Sequence, residues 1–118
     1  KVTKLYGIKN CDTVRKTRKW LESESFDYSF HDFRADGLDK KDLRTWVKAV
    51  GWESLLNKRS TTWKQLSDKD KETVDETKAI ALMLANPTVI KRPVLVFKNQ
   101  NGKKVHVGFK PAEYKALF

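Results

Sequence analysis

The chain opens on a short apolar segment, Val2–Ile8, with Gly7 near its end, and this pattern predicts a first strand. Asn10-Cys11-Asp12-Thr13 follows. Asn, Asp and Thr suit helix N-termini, because their side-chain oxygens accept from amides that lack intrahelical partners. Val14, Thr17 and Leu21 then recur at helical spacing and leave Arg15, Lys16, Arg18 and Lys19 to the polar faces. Phe26, Tyr28 and Phe30 alternate with Asp27, Ser29 and His31, which is the period of a strand. In the middle of the chain Leu43, Trp46, Val47 and Val50 fall on one helical face, with Gly51 as the stop. Trp52–Lys58 predicts a short amphipathic turn or helix, and Ile80, Met83 and Leu84 anchor another helix that ends before Asn86-Pro87. Val94-Leu95-Val96-Phe97 is a continuous apolar run, the pattern of a strand covered on both faces. Asn101-Gly102 has the chemistry of a type I′ hairpin turn. Val105 and Val107 alternate beyond it and put His106 on the solvent side. Pro111 opens a terminal helix carrying Tyr114, Leu117 and Phe118.

In chain order these elements are βαβ, then helices, then ββα. That order predicts an α/β protein with a thioredoxin-like fold and a helical insertion between its two halves. No Gly-, Ser- or Pro-rich tract divides the chain, so residues 1–118 are expected to form a single domain, with the insertion over approximately 38–86.

Charge narrows the partners. The formal net charge is +10, from 25 Lys and Arg against 15 Asp and Glu, which favours nucleic acid, an acidic protein, a small oxyanion or the carboxylates of glutathione. Acidic residues interleave through Asp36–Asp42 and Asp68–Glu76, and neither zinc-finger spacing nor an aromatic RNA-binding signature is present. Nucleic acid is therefore disfavoured. No apolar run approaches the roughly 20 residues that span a bilayer, and Lys4 interrupts the opening too early for a signal peptide. A single cysteine excludes an internal disulfide framework and a cysteine-rich zinc site, which makes the reducing cytoplasm the expected location. His31 and His106 have no partners at metal-ligand spacing, so no metal site is expected.

Cys11 stands where the first strand hands over to a helix, so free first-turn amides and the helix dipole can favour its thiolate. Lys9, Arg15 and Arg18 add positive charge, and Asp12 opposes it. Two other readings fit the same residues: a cysteine that fills a small apolar hole, and an amide cluster that binds an oxyanion with no covalent chemistry. The polar neighbours Asn10 and Asp12 weigh toward the reactive thiol. Lys91-Arg92-Pro93, just before the central strand, is by itself no more than an extended lead-in.

Taken together and in this order, Tyr6–Thr13, Asp36-Gly37-Leu38, Leu55-Leu56-Asn57 and Ile90-Lys91-Arg92-Pro93 resemble the ArsC family over essentially the whole chain. That family includes arsenate reductases, Spx-type regulators and YffB-like proteins proposed as glutathione-dependent thiol reductases. The Trp52–Trp63 segment, with Asn57, Arg59, Thr61 and Thr62, looks most like the YffB group. The resemblance implies a cis Arg92–Pro93 bond beside the first strand, Cys11 as nucleophile and Arg92 as its catalytic partner. It implies substrate or glutathione contacts from Lys9, Asn10, Asp12, Thr13, Arg15, Arg59, Pro93 and Lys110. Two arginines of the arsenate enzymes align with Asn57 and Lys110, and a lysine offers a point charge in place of a bidentate fork. The second cysteine of a typical Spx CxxC is replaced by Val14.

A lone thiol cannot resolve its own mixed disulfide, so the second thiol must come from outside. The expectation is a monothiol, glutathione-dependent thiol–disulfide reductase with no tightly bound cofactor and glutathione as co-substrate. Its further partners would be glutaredoxin or a disulfide or glutathionylated substrate. The alternatives are an arsenate reductase coupled to glutathione and glutaredoxin, and a non-catalytic Spx-like regulator or adaptor that binds an acidic protein surface.

Overall fold

The computed structural model describes residues 3–118, so Val2 of the predicted first strand lies outside the described residues. In chain order the elements are β1 (Thr3–Gly7), α1 (Asp12–Ser23), β2 (Ser29–Asp32), α2 (Lys40–Val50), α3 (Trp52–Leu55), α4 (Thr61–Gln65), α5 (Asp68–Lys71), α6 (Glu76–Ala85), a 3-10 turn (Pro87–Val89), β3 (Val94–Asn99), β4 (Gly102–Val107) and α7 (Pro111–Leu117). They form two compact units, one from the chain up to Asp36 together with Arg92–Phe118, the other from Gly37–Lys91.

The first unit holds a four-stranded sheet in the order β2-β1-β3-β4. β1 runs parallel to β2 and antiparallel to β3, and β3 and β4 form an antiparallel hairpin. Val94–Phe97 of β3 is buried throughout, as a strand covered on both faces requires. α1 buries Val14, Thr17 and Leu21, the residues its periodicity selected. Leu5, Leu21, Leu95, Phe97 and Tyr114 form one core cluster, edged by Trp20, Phe26 and Phe109. This is the thioredoxin-like arrangement, with helices intervening between its two halves.

Three expectations in this unit are corrected. The strand expected from Phe26 pairs only from Ser29, because Phe26 serves the end of α1 instead: its N–H donates to the Leu21 carbonyl at 2.9 Å and its ring stacks on Trp20. The hairpin loop is Gln100-Asn101, not Asn101-Gly102, since Asn99 pairs with Gly102. The only positive-φ non-glycine residues among those described are Ser25 and Thr73, so Gln100 and Asn101 cannot adopt type I′ geometry, and the reversal falls on Gly102 at φ 103. His106 is not on a solvent side. α7 folds back over β4, so Nε2 of His106 lies 3.1 Å from Glu113 Oε1 and its ring meets Tyr114 edge-on.

In the second unit, α2 buries Leu43, Trp46 and Val47, and ends at Gly51, whose φ of 87 suits glycine. α6 buries Ala79, Ile80, Leu82 and Met83, and is capped by Asp75, which accepts from Lys78 N–H at 2.9 Å. The single-turn helices α4 and α5 begin at Ser60 and Ser67, whose hydroxyls accept from Trp63 and Asp70 N–H. Neither buries a residue, so no apolar period announced them. Among the described residues no helix is long and apolar enough to cross a membrane.

Candidate active site at the start of the first helix

Cys11 is the N-cap residue of α1, with extended backbone at φ −98 and ψ 127. Its N–H donates to the Ile8 carbonyl at 3.1 Å, and its own carbonyl accepts Arg15 N–H at 2.9 Å. The residue is half-buried, with a free thiol. No side chain caps this helix. The capping expected from Asn10, Asp12 or Thr13 does not occur, because Cys11 itself occupies the cap position and Asp12 turns to Arg15. The first-turn amides therefore present their partial positive charge beside the thiol with no carboxylate or hydroxyl laid across them.

The loop that carries Cys11 is held from the far side of the sheet edge. Lys9 N–H donates to Asp32 Oδ2 at 3.0 Å, while Asp32 Oδ1 accepts from Arg34 N–H at 2.7 Å and Ala35 N–H at 3.1 Å. Burial works to raise the Asp32 carboxyl, but these backbone donors from Lys9, Ala35 and Arg34, helped by the Arg34 charge, hold it below its ordinary value. Phe33 N–H adds a bond to the Gly7 carbonyl at 2.8 Å. Gly7 also lets α1 close on β1, since a Cβ there would stand 2.7 Å from Val14 Cγ2. Sequence reasoning missed Asp32; the available signal was an aspartate directly after the predicted strand, leading into the turn-forming Arg34-Ala35-Asp36-Gly37.

Arg92–Pro93 is a cis peptide bond, as expected. Tyr6 pairs with Val94, so β3 begins where β1 ends, and Arg92 and Pro93 arrive at the end of the sheet from which the Cys11 loop departs. Val94 also pairs with Val107, and Gly108 N–H donates to the Pro93 carbonyl at 2.8 Å. The same end of the sheet thus receives Lys110, an exposed residue at the cap position of α7. Arg92 is half-buried, Pro93 buried, and Lys9 and Asn10 are exposed in the turn before Cys11.

The remaining positions divide. Arg15 Nη1 pairs with Asp12 Oδ1 at 3.0 Å, with side chains 60% and 87% exposed. An exposed pair of this kind is worth no more than about 1 kcal/mol, so an incoming anion can compete for the guanidinium. Arg18 is engaged by β2 and the segment before it: its Nε donates to Tyr28 Oη at 3.1 Å, and its guanidinium lies 4.2 Å from the Phe30 ring centroid. Thr13 is exposed, and its carbonyl accepts from Thr17 Oγ1 at 2.7 Å. Arg59 belongs to the second unit, where it is exposed and its N–H donates to Asn57 Oδ1 at 3.0 Å. Among the described residues no three His, Cys, Asp or Glu side chains cluster as metal ligands.

Residues 6–117 match the family model described as the ArsC family. A solved structure of a protein named YffB is 47% identical, covers 97% of this chain and 96% of its own, and superposes with a TM-score of 0.88. A solution structure of an arsenate reductase (ArsC) related protein from Brucella melitensis is 46% identical over 98% of this chain and 93% of its own, with a TM-score of 0.75. The global transcriptional regulator Spx of Streptococcus pyogenes is 27% identical over 115 residues, which are 96% of this chain and 82% of the regulator.

Proposed function

The chain belongs to the ArsC family, and from that premise we propose that it is a monothiol thiol–disulfide oxidoreductase with Cys11 as nucleophile and glutathione as co-substrate. The observation that carries this reading is the position of Cys11 as the cap residue of a helix whose first-turn amides no side chain occupies. The thiolate attacks the glutathionyl sulfur of a mixed disulfide. The old S–S bond breaks, the substrate leaves as a thiolate that takes a proton from water, and Cys11 carries the glutathionyl group. A second glutathione thiolate then attacks the glutathionyl sulfur, restoring the Cys11 thiolate and releasing glutathione disulfide. The glutathionyl sulfur stays at the disulfide level throughout, and the reducing equivalent passed to the substrate comes from the second glutathione, whose thiol ends in glutathione disulfide. Arg92, Lys110 and Arg15 supply the charge that holds glutathione's carboxylates, and the backbone of Lys9–Thr13 with Pro93 shapes the bed on which it lies. The reducing cytoplasm, where glutathione is abundant, is the compartment this chemistry suits.

Turnover tests the reading. A glutathionylated substrate, glutathione, glutathione reductase and NADPH should give Cys11-dependent NADPH consumption, abolished in Cys11→Ser. Arsenate in place of that substrate tests the arsenate reading, which the relative from Brucella melitensis favours and lysine at 110 weakens. The likeness to Spx supports a second reading, a regulator that binds an acidic surface; there a Cys11→Ser variant would keep its function.

A further inference from the structure

Asp12 follows the thiol directly in the chain, and its carboxylate is the only acidic group in the first turn of α1. It does not cap the helix; its Oδ1 is held by Arg15 Nη1 at 3.0 Å. Arg15 is tied to the thiol's own residue, since its N–H donates to the Cys11 carbonyl at 2.9 Å. The other arginine of α1, Arg18, is engaged by Tyr28 and Phe30. Opposed charges therefore meet beside Cys11: open amides and one guanidinium that attract an anion, and a carboxylate that repels it and already occupies that guanidinium.

We propose that Asp12 is a specificity-determining residue, which turns inorganic oxyanions such as phosphate and arsenate away from Cys11 and leaves disulfides free to react. The inference rests on Cys11 as the thiol–disulfide nucleophile and narrows its substrate class. What differs between the two substrates is where their charge sits. The reacting sulfur of a disulfide is neutral. The carboxylates of a glutathionyl group are several bonds away, where the exposed Arg15 side chain can exchange Asp12 for one of them. An oxyanion at Cys11 brings all of its charge to the thiol itself, beside a residue whose Cα is about 3.8 Å from that of Cys11. Repulsion by one carboxylate over about 7 Å, doubled for a dianion, weakens binding several-fold. Without the Asp12 charge, Arg15 is also released to fork onto the oxyanion.

The probe is inorganic phosphate, read by how far it protects Cys11 from iodoacetamide, a neutral reagent. Ionic strength is held constant, and each protein is compared with its own phosphate-free rate. Asp12→Asn should be half-protected at a phosphate concentration at least about fivefold below that of the native chain. Asp12→Glu should behave as the native chain does, and Arg15→Ala added to Asp12→Asn should lose part of the gain. A purely structural Asp12, placed only to complement the helix dipole, would change stability and leave the phosphate dependence alone. Equal phosphate dependence of the native chain and Asp12→Asn, whether both are protected or neither, would overturn the proposal. Protection of Asp12→Glu equal to that of Asp12→Asn would overturn it too. The same proteins exposed to glutathione disulfide keep the two readings apart: a Cys11 that forms no adduct in any of them counts against the thiol–disulfide function, while the phosphate comparison still decides the part of Asp12.

Discussion

Lys9 N–H and Asp32 Oδ2 lie 3.0 Å apart, a hydrogen bond that joins the turn before Cys11 to the end of β2 across 23 residues of chain. The thiol's loop is thereby fixed to the sheet by a carboxylate that also organises its own turn through Arg34 and Ala35. Asp32 is a positioning residue, acting on Cys11 through the backbone.

Asp32→Ala should cost about 1–3 kcal/mol, because three backbone N–H groups lose the buried, charged acceptor that ties them together. The pH dependence has a defined sign. The folded-state carboxyl sits below its ordinary value of 3.8, so its stabilisation is complete above that value and is lost as pH falls through the lower folded value. Urea unfolding of the native chain and of Asp32→Asn should therefore differ most near neutrality and converge at acid pH. A constant gap down to pH about 2 would contradict the role assigned to the carboxylate.

Gly7→Ala should destabilise the fold by about 1–3 kcal/mol, because the new Cβ meets Val14 Cγ2 at 2.7 Å and α1 must move off β1. Val14→Ala in the same chain should recover part of that loss. A double-variant cycle in urea with no coupling between the two positions would remove the steric account.

Tyr114→Phe should be neutral or slightly stabilising. The Tyr114 hydroxyl is buried with no hydrogen-bond partner among the described residues, and burial pushes the phenol well up from its ordinary value. The ring contacts with Trp20, Phe109 and His106 survive the change. A loss above about 1 kcal/mol in thermal or urea unfolding would show that the hydroxyl is bonded after all.

These positions mark where the sequence was legible. α1, α2, α6 and β3 were visible because one period of apolar residues sufficed for each: Val14, Thr17 and Leu21 for α1, Leu43, Trp46 and Val47 for α2. The cis Arg92–Pro93 bond and the meeting of that segment with the end of β1 followed from the family resemblance. What stayed hidden depends on partners remote in the chain. His106 alternates like a solvent-facing residue, and only the return of α7 over β4 brings Glu113 and Tyr114 against it. Arg18 reads as a free cation near Cys11, yet Tyr28 and Phe30 engage it. Asn101-Gly102 carries the right turn chemistry one position out of register, because strand pairing closes the loop at Gln100-Asn101.

Arg92 and Arg18 should separate cleanly. Arg92→Ala should slow adduct formation at Cys11 with circular dichroism unchanged, Arg92→Lys should recover part of the rate, and the double change with Lys110→Ala should be slowest. Arg18→Ala should leave the rate alone and cost about 1 kcal/mol of stability through its lost packing on Phe30 and bond to Tyr28. Equal rates for the native chain and the Arg92/Lys110 double variant would reduce the site to Cys11 and its helix terminus.

The most direct test of the central claim is the site and speed of glutathionylation, read by intact-mass and peptide mass spectrometry after exposure to glutathione disulfide. One glutathionyl group per chain should appear, on Cys11, formed faster than on an unstructured peptide spanning Lys4–Glu22 and removed by added glutathione. A Cys11 thiol that reacts no faster in the folded chain than in that peptide would contradict that claim.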